Sequence, residues 1–558
     1  MVFCFKVISI CLNISMVNRL ISDKLNKEFD LVIIGGGING CGIARDASER
    51  GLKVLLLEKE DFGSGCTSAS TRLIHGGLRY LEHFEFDLVR ESLLERERLL
   101  KNASHLIKPI ELLIPVYKTD KRNYWLVKLG MTLYDLLSFD KTLPSHKMLS
   151  RKSFLEYESS VKKQNFSGGA IFYDCQATYP ERICIENIIM AKQNGALVLN
   201  HAEVTKINTD TNKISSVEFL DKLSNVKYKV SGKIVVNVSG PWVDTLCGLV
   251  NKGIKRQIGG TKGSHIVISQ FEDGPKHALY VSAKSDARPF FIIPWQNYYL
   301  IGTTDIPFQG NIDRLKIGEE EINYLLSEAN NVLSSKQISR SDVLFSYCGV
   351  RPLPFTGETD PSKITRRHII HDHGGDGINN LFSVIGGKLT TYRALSEELV
   401  DLVYKKLNYK FIKCLTHIKP LIGNVEGDIE KYKKQEIGKV KKKYDLEPEI
   451  ILHLIDLYGK KYKTVFELAL REQDLGYLLS SSSLDIRAQV VHAIQNEMAC
   501  TVSDVLLRRT SLGLSEGLGQ DSISEVVKQL KLFLNLSQEE VKKQTSDYEE
   551  NVVKVRRV

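Results

Sequence analysis

No Cys-x-x-Cys pair occurs anywhere in the 558 residues. The ten cysteines (4, 11, 41, 66, 175, 184, 247, 348, 414 and 500) are scattered, which gives no zinc spacing and suits a reducing compartment. Beyond the N-terminal stretch there is no apolar run long enough to span a bilayer, so membrane contact would have to be peripheral. There is no repeat array and no long stretch of disordered composition; 42% of residues are hydrophobic and 26% charged, as in an ordinary folded protein. Strong charge is also missing. A net +9 is mild for this length: it permits attraction to anionic lipid or an anionic substrate without establishing nucleic-acid binding, and no nucleic-acid partner is expected. A metal site is not evident, since His368, His371, Asp372 and His373 fall in a polar loop. Residues 1–17 are apolar but interrupted by Lys6, Asn13 and several serines, short of a reliable spanning helix and without a small-residue cleavage site. A weak anchor, a targeting leader and an upstream start with Met16 as the alternative all remain open, and residues 1–27 are expected to be a dispensable extension.

What is present is a pair of glycine motifs more than 340 residues apart. The first, Gly35-Gly36-Gly37-Ile38-Asn39-Gly40, follows the apolar run Asp30–Ile34 and precedes a helical stretch. Gly35, Gly37 and Gly40 fit G-x-G-x-x-G: a tight turn, close backbone approach to a pyrophosphate, and close helix–strand packing. A helix starting near Asn39 would aim free N–H groups and its positive end at the phosphates. A second apolar strand, Lys53–Leu57, ends in Glu58, 18 residues after Gly40. That is close to the ~20 expected for a ribose-binding acid, and an acid there argues against a 2′-phosphate. The second motif, Gly386-Gly387-Lys388-Leu389-Thr390-Thr391-Tyr392-Arg393, again lies between an apolar run and a helix, predicted to begin near Lys388. Two such turns suggest a cofactor long enough to be gripped at both ends, which favours FAD over a bare nucleotide.

A chain of this length should hold several domains. The expected fold is α/β: a discontinuous Rossmann-like FAD-binding domain (28–105, 170–255 and 345–407), an inserted antiparallel β substrate domain (106–169 and 256–344), and a lysine-rich C-terminal helical domain (412–540). Alternation at Ser264–Ile268, Phe290–Pro294 and Tyr298–Thr303 carries the antiparallel reading.

Several longer stretches then resemble the FAD-dependent glycerol-3-phosphate dehydrogenases, flavoproteins of the D-amino-acid-oxidase-like superfamily. These are Ser68 to Glu82 (SASTRLIHGGLRYLE), Asn237 to Val243 (NVSGPWV), Lys262 to His265, Gly302 to Asp305, Tyr347 to Leu353, Gly386 to Arg393 and Asp504 to Thr510. The resemblance covers about 28–515, and the HGGLRYLE and GGKLTTYR blocks are far more specific than a glycine pattern. Val238-Ser239 departs from the family's usual Ala-Ala or Ala-Thr, a size change expected to be harmless. The resemblance implies oxidation of sn-glycerol 3-phosphate to dihydroxyacetone phosphate by hydride transfer to flavin N5. Electrons would pass to a membrane quinone from a peripheral enzyme. Its location would be the cytoplasmic face of the inner membrane in a bacterium, or the mitochondrial inner membrane in a eukaryote. It further implies cofactor contacts from Gly35, Gly37, Ile38, Asn39, Gly40, Glu58, Lys59, Thr67, Ser68, Ser70, His75, Gly76, Gly77, Val204, Gly240, Trp242, Gly386, Gly387, Lys388, Leu389 and Thr390.

The chemistry narrows the remaining candidates. A phosphate ester needs forked donors, for which Arg79, Arg351 and Arg366 stand out, with Tyr80, Lys388 and Thr390 beside them. For the proton acceptor His265 is expected, with His75 as rival; Arg351 and Lys388 complete the expected catalytic group. Lys431, Lys433, Lys434, Lys439, Lys441, Lys442 and Lys443 could meet anionic headgroups at about 1 kcal/mol per charge. A homodimer is left open. So are an oxygen-using oxidase, an amine-oxidising relative on the same scaffold, and an RNA-binding redox sensor suggested only by the basic balance.

Overall fold

The computed structural model describes residues 25–250, 253–356, 364–443 and 447–557. Most of residues 1–27, and the side chains of Lys441, Lys442 and Lys443, therefore lie outside the described residues.

A six-stranded sheet carries the cofactor half. Its order is Ile369–Asp372, Leu381–Ile385, Gly232–Asn237, Phe29–Ile34, Val54–Leu57 and Leu197–Leu199. All neighbours are parallel except the edge strand Ile369–Asp372. Phe29–Ile34 is buried at every position because both faces are covered. Leu31 and Ile33 meet helices Ile38–Glu49, Pro180–Gln193 and Tyr392–Leu407. Val32 and Ile34 meet an antiparallel meander of Ala202–Asp210, Lys213–Asp221 and Val226–Val230. Parallel pairing brings the C-terminal ends of Phe29–Ile34 and Leu381–Ile385 to one edge, so both glycine turns open on the same side.

The second sheet has ten strands and is antiparallel except where Ala278–Ser282 meets Ile107–Tyr117. Thr261–Ser269 lies between Tyr298–Gly302 and Val343–Arg351. The boundaries expected at 170 and 345 both cut strands of this sheet: Phe166–Ala177 and Val343–Arg351 each belong to it whole. Long-range pairing decides this; neither strand carries a local signal of which sheet it joins. Helices from Ile429–Lys443 to Gln538–Tyr548 form the C-terminal domain, which shares a core with the second sheet.

Candidate active site

The two glycine turns meet. A Cβ added at Gly387 would lie 2.7 Å from Asn39 Nδ2, so the turns stand side by side rather than at opposite ends of a cofactor. Gly35, Gly386 and Gly387 have φ of 116°, 78° and 95°, in the region that favours glycine. The pair at 386–387 interrupts the approach to the helix, which starts at Tyr392 and not near Lys388. Thr390 Oγ1 instead accepts from the backbone N–H of His75 (3.2 Å) and donates to its carbonyl (3.3 Å), pinning the two motifs together.

These turns open on one cavity of about 2180 Å³ between the sheets. Of the expected cofactor residues, Gly35, Gly37, Ile38, Asn39, Glu58, Lys59, Thr67, Ser70, His75, Gly77, Val204, Gly240, Trp242, Gly386, Gly387, Lys388, Leu389 and Thr390 line it. Gly40, Ser68 and Gly76 do not. A Cβ at Gly40 would lie 1.9 Å from the carbonyl oxygen of Gly35, so this glycine lets the helix close onto the turn. Ser68 Oγ donates to the carbonyls of Ser64 and Gly65. The Gly76 N–H donates to the buried Tyr134 hydroxyl (2.9 Å).

The cavity fits a dinucleotide. Gly37 leaves room for close backbone approach, and Asn39 Oδ1 is buried without a partner among the described residues. Thr67 Oγ1 accepts from Ile38 N (3.1 Å), acting as a cap that Gly37 cannot supply from its own position. Glu58 Oε2 accepts from Gly36 N (2.6 Å) at the end of the second strand; burial raises its pKa. Lys59 lies over the Trp242 ring (4.2 Å), and both side chains bond Asp313 at the rim.

The deeper end carries the charge. Arg288, Arg351 and Arg366 converge on the single carboxylate of Asp305, at 2.6, 3.2 and 3.1 Å. Among the described residues two positive charges of this trio are left unmatched, and Arg366 Nη1 is buried with no partner there. Burial, with Arg366 and Arg288 nearby, pulls Arg351 down to about 9, so it remains protonated at neutral pH. Burial lowers Arg366 and Arg288 as well. Arg79 and Tyr80 line the same cavity. Lys388 lies 4.4 Å from the centre of the Tyr80 ring and donates to Ser92 Oγ; burial lowers its pKa from 10.5 to about 7. Arg288 and Asp305 were missed as site residues by sequence reasoning. One signal was available: Arg288 precedes Pro289 at the mouth of an alternating strand, just as Arg351 precedes Pro352.

His265 is buried in Thr261–Ser269, stacked on Tyr347 (4.9 Å) and bonded through Nε2 to Thr71 Oγ1 (2.9 Å). Gly302 makes the space: a Cβ there would lie 2.3 Å from the imidazole. Its Nδ1 has no hydrogen-bond partner among the described residues. Burial, then Arg351 and Arg72, lower it to about 3; burial, then Lys388 and Arg96, lower His75 to about 4 despite Asp174. Both are therefore neutral, proton-accepting imidazoles at physiological pH. Away from the cavity, His371 Nε2 and His373 Nδ1 both bond Asp376 Oδ2 at 2.8 Å, and His368 bonds Glu398.

A parallel sheet whose glycine turns edge a dinucleotide-sized cavity, facing an antiparallel sheet of cationic side chains, defines an FAD-dependent oxidoreductase. Residues 30–393 match the family described as FAD dependent oxidoreductase, and residues 414–541 match the C-terminal domain of alpha-glycerophosphate oxidase. Within that class the chain belongs to the glycerol-3-phosphate dehydrogenase family, and FAD is its cofactor. It is 46% identical to the glycerol-3-phosphate dehydrogenase of Synechocystis sp., across 94% of this chain and 96% of that one. It is 36% identical to the aerobic glycerol-3-phosphate dehydrogenase of Staphylococcus saprophyticus, across 88% and 87%. The glycerol-3-phosphate dehydrogenase of Bacillus halodurans, solved in complex with FAD, superposes with a TM-score of 0.80 at 27% identity, covering 96% and 97%.

Proposed function

We propose that this enzyme oxidises sn-glycerol 3-phosphate to dihydroxyacetone phosphate and hands the electrons to a membrane quinone. The observation that carries the substrate reading is the trio Arg288, Arg351 and Arg366 on one carboxylate. Two unmatched charges suit a phosphate dianion, whose planar edges fit forked guanidinium donors. An amino acid would need one such clamp, not three. FAD, when bound, supplies the hydride acceptor. The protein's own tasks are to hold the phosphate, set the carbinol against that acceptor, exclude water and take the hydroxyl proton. His265 takes the proton: it is neutral at physiological pH, its Nδ1 is unpartnered, and neutralising Arg351 with phosphate raises its basicity. Anaerobic mixing with glycerol 3-phosphate is expected to bleach the flavin within the turnover time. A flavin that stays oxidised under those conditions overturns the substrate reading.

Lys388 adds a pH signature. Its ammonium is depressed to about 7, and a nearby dianion favours the charged form, so binding must take up a proton above that pH. Titrating dihydroxyacetone phosphate into the oxidised enzyme at pH 8, in buffers of different ionisation enthalpy, should report this uptake. In Lys388→Arg the uptake should vanish.

The membrane face is read differently from the lysine stretch. Lys433 is buried and paired with Asp456 (2.9 Å) and Glu430 (3.0 Å), and Lys439 bonds Glu436 (2.7 Å). Helix Tyr124–Leu137 instead exposes apolar side chains: Trp125 is 71%, Leu129 66% and Leu136 68% accessible, with Phe139 just beyond at 76%. The turn Leu78–His83, part of the cavity lining, packs on this helix. Among the described residues no helix is long and apolar enough to cross a membrane, so this one would lie in the interface plane. Trp125→Ser, Leu129→Ser and Leu136→Ser together should weaken liposome binding about 10³-fold or more, at roughly 1.5 kcal/mol or more per side chain. Lys431→Glu, Lys434→Glu and Lys439→Glu together should matter less; the reverse ranking would restore the lysine stretch as the attachment.

A further inference from the structure

We propose that the C-terminal helical domain forms the adenosine wall of the FAD site, clamped there by a buried ionic network on the ribose-side loop. The proposal rests on the FAD reading of the cavity. That cavity does not end at Glu58 and Val204. It continues onto Thr501, Asp504, Arg508, Leu536, Lys543 and Gln544, all from the C-terminal domain.

The loop after Glu58 is tied to this wall. Asp61 is fully buried and accepts from Arg508, and from Arg509 Nη2 at 3.0 Å. Asn200 Nδ2 donates both to Asp61 (3.1 Å) and to the carbonyl of Met498 (3.0 Å). The neighbouring His201 bonds Asp504 Oδ2 through Nε2 (2.9 Å), and Asp504 also accepts from Arg508 Nη2 (3.0 Å). Glu58 is reached from the same strip, since its carbonyl accepts from Ala202 N (2.7 Å). Against the pull of burial, His201 and Arg508 hold Asp504 well below the usual carboxylate range. Buried ion pairs are poor sources of net stability, because desolvation offsets the attraction; their value lies in register. Here the register fixed is that of residues 58–61 and 200–202 against residues 498–509. A separate domain that only docked beside the cofactor fold would not need three charged C-terminal side chains buried under the ribose-side loop.

Two experiments test this on the full-length enzyme. Reconstitution with an azido-adenine analogue of FAD, followed by illumination, should crosslink residues within 500–508 or 536–547. Flavin bleaching by glycerol 3-phosphate first verifies that the analogue is seated. Crosslinks confined to 58–60 and 202–228 in a bleachable sample would overturn the proposal while leaving the FAD reading intact. Arg508→Gln leaves each buried carboxylate one partner, Arg509 for Asp61 and His201 for Asp504. It should raise the FAD Kd about tenfold or more, the loss of one charge-assisted bond holding the loop. Arg508→Lys should recover part of the affinity. An unchanged FAD Kd in Arg508→Gln would also overturn it.

Discussion

Arg351→Ala is expected to raise KM for glycerol 3-phosphate about 10²- to 10³-fold and to lower kcat, with flavin still bound. Removing one member of a buried, hydrogen-bonded charge set costs about 2–5 kcal/mol, and each 1.4 kcal/mol is tenfold. Arg351 is placed for such an effect. Its Nη2 donates to Thr303 Oγ1 (2.9 Å) and its Nη1 to the Thr304 carbonyl (3.2 Å), so the guanidinium is held before any ligand arrives. Gly263 on the paired strand leaves the room, since a Cβ there would lie 2.4 Å from Nη2. Arg288 and Arg366 keep Asp305 partnered in the variant, which is why the cofactor half should be unaffected. Arg351→Lys should recover only part of the loss, because an ammonium lacks the planar fork. Steady-state kinetics with a flavin absorbance reading decide it: normal kcat/KM in the alanine variant would remove Arg351 from the site.

Gly40→Ala is expected to yield a protein that loses its flavin on gel filtration. The added methyl would meet the carbonyl oxygen of Gly35 at 1.9 Å, and that oxygen is backbone in the turn itself. Relief requires moving either the helix Ile38–Glu49 or the turn, and overpacking of this kind costs about 1–3 kcal/mol in stability. The cost to cofactor binding should be larger, because the displaced turn is the surface on which the pyrophosphate would lie. Gly438→Ala is the control. It is an exposed helical glycine with nothing among the described residues within 4 Å of a new Cβ, so it should leave the flavin bound and raise stability by about 0.5–1 kcal/mol. Visible absorbance after desalting and thermal melting test both variants; a fully coloured Gly40→Ala enzyme would refute the packing account.

Much of the cofactor half was legible in the chain because its signals are local. A glycine turn, the strand before it and the helix after it occupy a few consecutive residues, and their spacing reports the geometry directly. From the sequence a helix is expected from about Glu181 to Asn194 and another near Trp125–Leu137; the structure has them at Pro180–Gln193 and Tyr124–Leu137. The helix expected near Lys388 was misplaced because two successive positive-φ glycines delay it to Tyr392. Lys433 belongs to the basic stretch expected to meet headgroups, but its partner Asp456 lies in another helix, which periodicity cannot reveal.

The amino-acid sequence by itself determined the two phosphate-edge turns, Glu58 at the second strand end, the α/β class and the helical C-terminal domain, since each depends on neighbours a few residues away. Only the tertiary structure decided that Arg288, Arg351 and Arg366 share Asp305, that the two turns touch, and that Arg508 and Arg509 reach back across more than 440 positions to Asp61. Those contacts follow from sheet register and domain packing, in which residues distant along the chain become neighbours, and no local pattern encodes which ones will meet.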